Sequence, residues 1–258
     1  MVPLRPCDQH LSKDAVATKG GNVKISMLHG TRHLLVVLAL ANTPWAYAEP
    51  EKAEELVGTA LDLDANADHG RVLFAAQCAP CHGNNAQGDA GKVIPSLAGQ
   101  RRSYLVKQFA DFSEHDRTAT RMHAVVARPD VSEPQAWADL ASYLNSLPPL
   151  PVPQTGSGKL TSLGEASYRQ WCSSCHEEDA RGDDEGFVPA LRNQHYSYLL
   201  GEIRGIAEGH RFNVEPDLVR FLTSLDAEEM QGLADYLSRK GGPVRDRARL
   251  LNDGSISR

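Results

Sequence analysis

The sequence predicts an all-α fold of two tandem helical domains, and three observations carry that prediction. The stretch Cys78-Ala79-Pro80-Cys81-His82 recurs as Cys172-Ser173-Ser174-Cys175-His176. The residues around each copy repeat at an offset of 94, the mark of an internal duplication. Near each copy the side chains fall at helical intervals: Gly70, Phe74 and Cys78 at i, i+4 and i+8, and Gly164, Tyr168 and Cys172 likewise.

Cys-x-x-Cys-His is the attachment signal for c-type haem. Two cysteines three positions apart lie on one helical turn, so both sulfurs can add to the haem vinyl groups, and the adjacent histidine reaches the iron. A thioredoxin-like dithiol, which Cys78-Ala79-Pro80-Cys81 resembles, and a zinc site of paired knuckles also use Cys-x-x-Cys. Neither accounts for a histidine directly after both pairs. The fifth cysteine, Cys7, lies near the amino terminus, so no pair remains for a structural disulfide. The expected cofactors are two covalently attached haem c groups, held by Cys78 and Cys81 and by Cys172 and Cys175, with His82 and His176 as iron ligands.

Residues 1–48 read as a leader. From Met27 a polar start with His29, Arg32 and His33 precedes the apolar run Leu34 to Ala41 and the Ala46-Tyr47-Ala48 cleavage site. Residues 27–48 are therefore expected to be a signal peptide cut after Ala48, with Met27 as initiator and residues 1–26 outside the translated protein. A membrane anchor would need about 20 apolar residues, more than twice this run.

The first domain spans 49–147 and the second 160–243. After each haem motif comes a proline segment, Pro95-Ser96-Leu97 and Pro189-Ala190-Leu191, and then a middle helix carrying Tyr104-Leu105 or Tyr198-Leu199. A terminal helix closes each domain, the offset having slipped by one: Leu140-Ala141-Ser142-Tyr143-Leu144 pairs with Leu233-Ala234-Asp235-Tyr236-Leu237. Ser132 with Gln135 and Asp226 with Glu229 have the spacing of capping boxes at the starts of these helices. Gly70 and Gly164 would let the terminal helix approach closely, with Tyr143 and Tyr236 filling the crossing. Residues 148–159, rich in proline and then in glycine and serine, form an extended linker with a flexible end. The charged tail 244–258 is expected to be disordered.

Lys and Arg number 27 against 33 Asp and Glu, a net charge of −6. Removing the five basic and two acidic side chains of residues 1–48 leaves 22 and 31, a net of −9. An acidic surface excludes nucleic acid as a partner and suits proteins with basic docking patches. Export agrees with the haem motifs, since c-type haem is attached outside the cytoplasm. The expected compartment is the bacterial periplasm, with at most peripheral membrane association.

The duplicated pattern of haem motif, glycine-aromatic stripe, proline segment and final Leu-x-x-Tyr helix resembles the class I cytochromes c, specifically the tandem dihaem cytochromes of c4 type. The resemblance covers about residues 64–240. It implies two class I domains, each wrapped around one haem, and a carbonyl from Pro95 and Pro189 to the proximal histidine. It also implies that Met122, forty residues after His82 and just before the last helix, is the first iron's sixth ligand.

The second repeat departs from the pattern. At the offset of 94, Met122 maps to Pro216, and Met230 lies on the apolar stripe of the terminal helix with Leu233, Ala234 and Leu237. Three readings stand for the second iron: ligation by His210 from the loop that should cover the haem, ligation by His195 as a weaker candidate, or no protein ligand. His69, His115 and His123 are expected at the surface, and Asp183, Asp184 and Glu185 in a solvated loop.

The resemblance implies an electron carrier between a respiratory donor or dehydrogenase and a terminal acceptor such as an oxidase. The alternative is a haem enzyme whose second iron acts on a small substrate.

Overall fold

The computed structural model describes residues 51–211 and 213–241. The leader with its cleavage site, Cys7 and the tail 244–258 lie outside the described residues. Both repeats belong to one unit, Pro50–Arg258. Among the described residues the fold is helical, with isolated β-bridges and no helix long and apolar enough to cross a membrane.

The first domain opens with α1 (Glu51–Asp62), an amphipathic helix that the repeat pattern does not reveal because the second domain lacks it. Val57 and Ala60, three positions apart, enter the core. Next come α2 (Ala67–Leu73) and α3 (Ala79–His82), separated by a wide π-type turn over Phe74–Cys78. Such turns interrupt helices most often at functional positions. The middle helix α4 (Arg102–Ser113), the short α5 (Thr120–Val126) and the terminal α6 (Pro134–Ser146) complete the domain. The second domain repeats the series as α7 (Thr161–Trp171), α8 (Ser173–His176), α9 (Tyr196–Ala207), α10 (Pro216–Ser224) and α11 (Ala227–Ser238).

The crossing of first and terminal helices is as tight as the glycines suggest. A methyl carbon added to Gly70 would stand 2.1 Å from the Asp139 carbonyl oxygen, and one added to Gly164 would stand 1.9 Å from that of Gly232. One turn on, Tyr143 packs on Phe74 with ring centroids 5.6 Å apart, and Tyr236 on Tyr168 at 5.5 Å.

Only one of the two capping boxes forms. Asp226 accepts from the backbone N–H of Glu228 and Glu229, while Glu229 Oε2 accepts from Asp226 N–H at 2.8 Å. Ser132 does not cap α6. Pro134 in the first turn starts that helix one residue later, at an N-cap of Glu133, and Gln135 instead donates to Asp64 O and Asp139 Oδ1.

The linker is not a loose spacer. Leu150 is buried, and its carbonyl accepts from Asn193 Nδ2 at 2.8 Å. Its glycine-serine end, expected to be flexible, is strapped to α11: Gly158 N–H donates to Asp235 Oδ2, and Arg239 Nη2 donates to Gly156 O. A carboxylate and a guanidinium facing bare backbone amides and carbonyls supply charge-assisted hydrogen bonds that local composition does not announce.

The domains meet along a polar seam whose contacts come in pairs related by the 94-residue offset. Gln100 takes the backbone of Ala190 in both directions, and Gln194 does the same to Ser96. Arg101 Nε donates to Arg181 O at 2.7 Å, and His195 Nε2 to Gln87 O at 2.9 Å. Ser103 binds Asp184, and Ser197 Oγ binds Ala90 O. At the centre, Arg117 and Arg211 pair through a β-bridge and both bind Glu202 at 2.8 Å. Each contact joins equivalent positions with the domains exchanged, so the seam has an approximate two-fold axis. Among the described residues no buried side-chain nitrogen or oxygen is left without a hydrogen bond.

Candidate functional site

Each motif histidine stands at the end of a single helical turn, α3 or α8. His82 Nδ1 donates to Pro95 O at 3.1 Å, and His176 Nδ1 donates to Pro189 O at 3.0 Å. A carbonyl can only accept, so in both rings the proton sits on Nδ1 and the Nε2 lone pair is left for a metal. Burial pushes both imidazoles below the usual histidine range, against an opposing pull from the proline carbonyl. A neutral ring is the ligating form.

The loops that bring the prolines into place are built alike. Asp89 bridges to Ile94, and Asp183 to Val188. Gly88 N–H donates to His82 O at 2.9 Å with φ +76°, and Gly182 N–H to His176 O at 3.1 Å with φ +68°. A side chain there would run into the Pro95 or Pro189 backbone, so only glycine permits both the conformation and the approach.

The thiols argue against a redox dithiol. Burial pushes Cys78 up to about 11 and Cys172 up to about 12. A thioredoxin-like pair needs one thiol held low. Zinc knuckles fare no better, since no three His, Cys, Asp or Glu side chains converge among the described residues.

Met122 is the third residue of α5, half-buried against the first core. Met230 packs into the second core. At the terminal-helix offset of 93 it takes the place of Trp137, so it is a core residue.

The two histidines considered for the second iron lie in different settings. His210 is not turned inward. Its side chain is 64 % exposed, with Nδ1 3.7 Å from Glu208 Oε2, because its amide is tied back to Gly205 O in the turn that ends α9. His195 is buried but has no nitrogen to spare: Nδ1 accepts from Gln154 N–H at 3.1 Å while Nε2 donates to Gln87 O. It serves the seam, as Arg101 does at the equivalent position.

Other side chains expected at the surface also have partners. His69 Nδ1 donates to the buried Asp139 Oδ2 at 2.6 Å. His123 Nε2 donates to Arg117 O at 2.7 Å, and its ring lies 4.4 Å from that of His115. Asp184 binds the amide and hydroxyl of Ser103 and lies 3.5 Å from Arg101. The Arg117–Glu202–Arg211 cluster was missed, although Arg117 and Arg211, like Gln108 and Glu202, stand at the 94-residue offset.

The donor sets fit haem c: two cysteines and a neutral, oriented imidazole on one turn, in each of two helical domains with their own apolar cores. A family model described as cytochrome c matches residues 67–148 and 162–239, each segment holding one motif. The chain therefore belongs to the cytochrome c family, as two tandem domains, and carries two covalently bound haem c groups. Within that family it is of the dihaem c4 type. Cytochrome c4 of Pseudomonas aeruginosa is 30% identical over 174 residues, covering 64% of this chain and 79% of the relative. A thiosulfate dehydrogenase electron acceptor of Stutzerimonas stutzeri is 28% identical over 202 residues, 70% of this chain and 90% of that protein. The crystal structure of reduced recombinant cytochrome c4 from Pseudomonas stutzeri matches with a TM-score of 0.60 at 25% identity, over 67% of this chain and 98% of that one.

Proposed function

We propose that the protein is a periplasmic electron carrier that takes single electrons from a respiratory dehydrogenase and passes them to a terminal acceptor. Haem c supplies one-electron exchange at its iron. The observation that carries the reading is the His–Pro pair, made twice with the same tautomer, which presents two oriented imidazoles. We assign Cys78, Cys81, Cys172 and Cys175 to thioether attachment, His82 and His176 to the irons, and Pro95 and Pro189 to holding those rings. Met122 is the first iron's sixth ligand, and its thioether raises that site's potential.

The seam supports a carrier too. Charge-assisted and amide hydrogen bonds hold the two domains in one relative placement, so two redox sites work as one body. The acidic mature surface fits a partner with a basic patch. The relative named as an electron acceptor for thiosulfate dehydrogenase favours a dehydrogenase as donor.

Mass spectrometry and haem quantification of exported protein test the reading together. They should give a chain starting at Glu49 with two haems, and a redox titration should resolve two potentials, the first haem higher. Axial ligands move haem potentials over about 0.8 V, so the difference should be resolvable. One haem per chain, or a mature terminus upstream of Met27, would refute the assignment.

A further inference from the structure

The repeat offset is not constant along the chain, and its changes identify the residue that replaces Met122. From the haem motif through the paired Arg117 and Arg211 the offset is 94. The helix α5 starts at Thr120 and α10 at Pro216, an offset of 96, while α6 and α11 start at Pro134 and Ala227, an offset of 93. Two residues are inserted before α10 and three are removed after it. The equivalent of Met122 is thus Leu218, not Pro216, and each is the third residue of its helix.

The packing agrees with that register. The helix α5 lies on α4, and α10 on the equivalent α9. Met122 is followed one turn later by the buried Val126, and Leu218 by the buried Leu222, so each pair shares one helix face. Leu218 is nevertheless 37% exposed, a partly uncovered apolar side chain one turn from a core residue. Its neighbour Phe221 stacks on Trp171, next to Cys172, with ring centroids 4.9 Å apart. In the first domain Gln77, Arg128 and Asp130 form a polar cluster instead, with Gln77 at the position equivalent to Trp171.

We propose that Leu218 holds the sixth-ligand position of the second haem, which makes that distal face an apolar coordination site for a small neutral diatomic such as carbon monoxide or nitric oxide. A leucine cannot ligate iron. Leu218, Leu222 and Phe221 offer no hydrogen-bond donor, and distal polarity decides which ligands a haem accepts. An aliphatic and aromatic surround disfavours anions, whose charge would be buried without a partner. The inference rests on the assignment of Cys172, Cys175 and His176 to a haem.

The test is carbon monoxide titration of the reduced protein, purified with its haems counted. With two haems present, the unmutated protein should show a carbon monoxide difference spectrum at one-haem amplitude. Oxidised, it should show the near-infrared methionine-to-iron band at one-haem intensity. Leu218→Met, which nearly conserves volume, should add a second such band. If the methionine occupies the iron about 99 % of the time, apparent carbon monoxide affinity falls about 100-fold. His210→Ala should leave binding unchanged.

Two haems without carbon monoxide binding, or binding that appears only in His210→Ala, would overturn the inference and leave the carrier reading intact. A Leu218→Met protein with no second band would overturn the register. Fewer than two haems would instead overturn the haem assignment beneath it.

Discussion

Replacing Gly164 by alanine should loosen the crossing of α7 and α11. The added methyl carbon would lie 1.9 Å from the Gly232 carbonyl oxygen and 2.7 Å from the Leu233 nitrogen, both backbone atoms that cannot rotate away. Ordinary contact begins near 3.4 Å, so the helices must part by about 1.5 Å. Overpacking of this kind costs about 1–3 kcal/mol, and a rigid obstacle puts the figure at the upper end. The better helix propensity of alanine returns about 1 kcal/mol, leaving a net loss of about 2 kcal/mol. For a protein of this size that lowers Tm by about 4–8 °C. Gly58→Ala is the control, since a methyl carbon there meets nothing within 4 Å and should raise stability by about 0.5–1 kcal/mol. Thermal unfolding of both variants, followed by circular dichroism with haems bound, decides the matter. A Gly164→Ala protein that melts at or above the parent temperature would refute the close-approach argument.

Three further outcomes follow from the geometry. Glu177 has φ 66° and ψ 161°, a region nearly confined to glycine, where the first domain has Gly83 at φ 77°; Glu177→Gly should stabilise by about 1 kcal/mol or more in denaturant titration. For Asp139, burial alone would raise the carboxyl, but hydrogen bonds from His69, Asn66 and Gln135 outweigh it and hold it below the usual range. A depressed folded value means stability that is complete above about pH 4 and lost as the pH falls through the folded value. Asp139→Asn should therefore flatten the acid limb of a stability–pH curve, at a cost of about 1–3 kcal/mol at neutral pH. Arg117 binds Gln108 in its own domain and Tyr198 and Glu202 across the seam, so Arg117→Met should cost about 3 kcal/mol and split urea unfolding into two transitions. An unchanged single transition would show that Arg117 is not what couples the domains.

The sequence by itself determined what depends on neighbours along the chain. The cysteine spacing, the helical stripes and the Asp226–Glu229 box are set within about two helical turns, so a periodic pattern records them directly, and the duplication writes them twice. The prolines whose carbonyls accept from the imidazoles were named by the resemblance to class I cytochromes c, and the repeated distance from each motif placed them. Tertiary structure decided the rest, because the partners lie far apart in sequence. His195, a weaker ligand candidate in the sequence, and Asp184, expected in a solvated loop, are seam residues through contacts across 108 and 81 positions. The linker gained its order from Asp235 and Arg239, and the exposed setting of His210 comes from a turn closed by its own backbone. The equivalence of Leu218 to Met122 needed the helix starts themselves. Insertions in a loop leave no periodic trace, and only the packing of α10 on α9 shows where the register resumes.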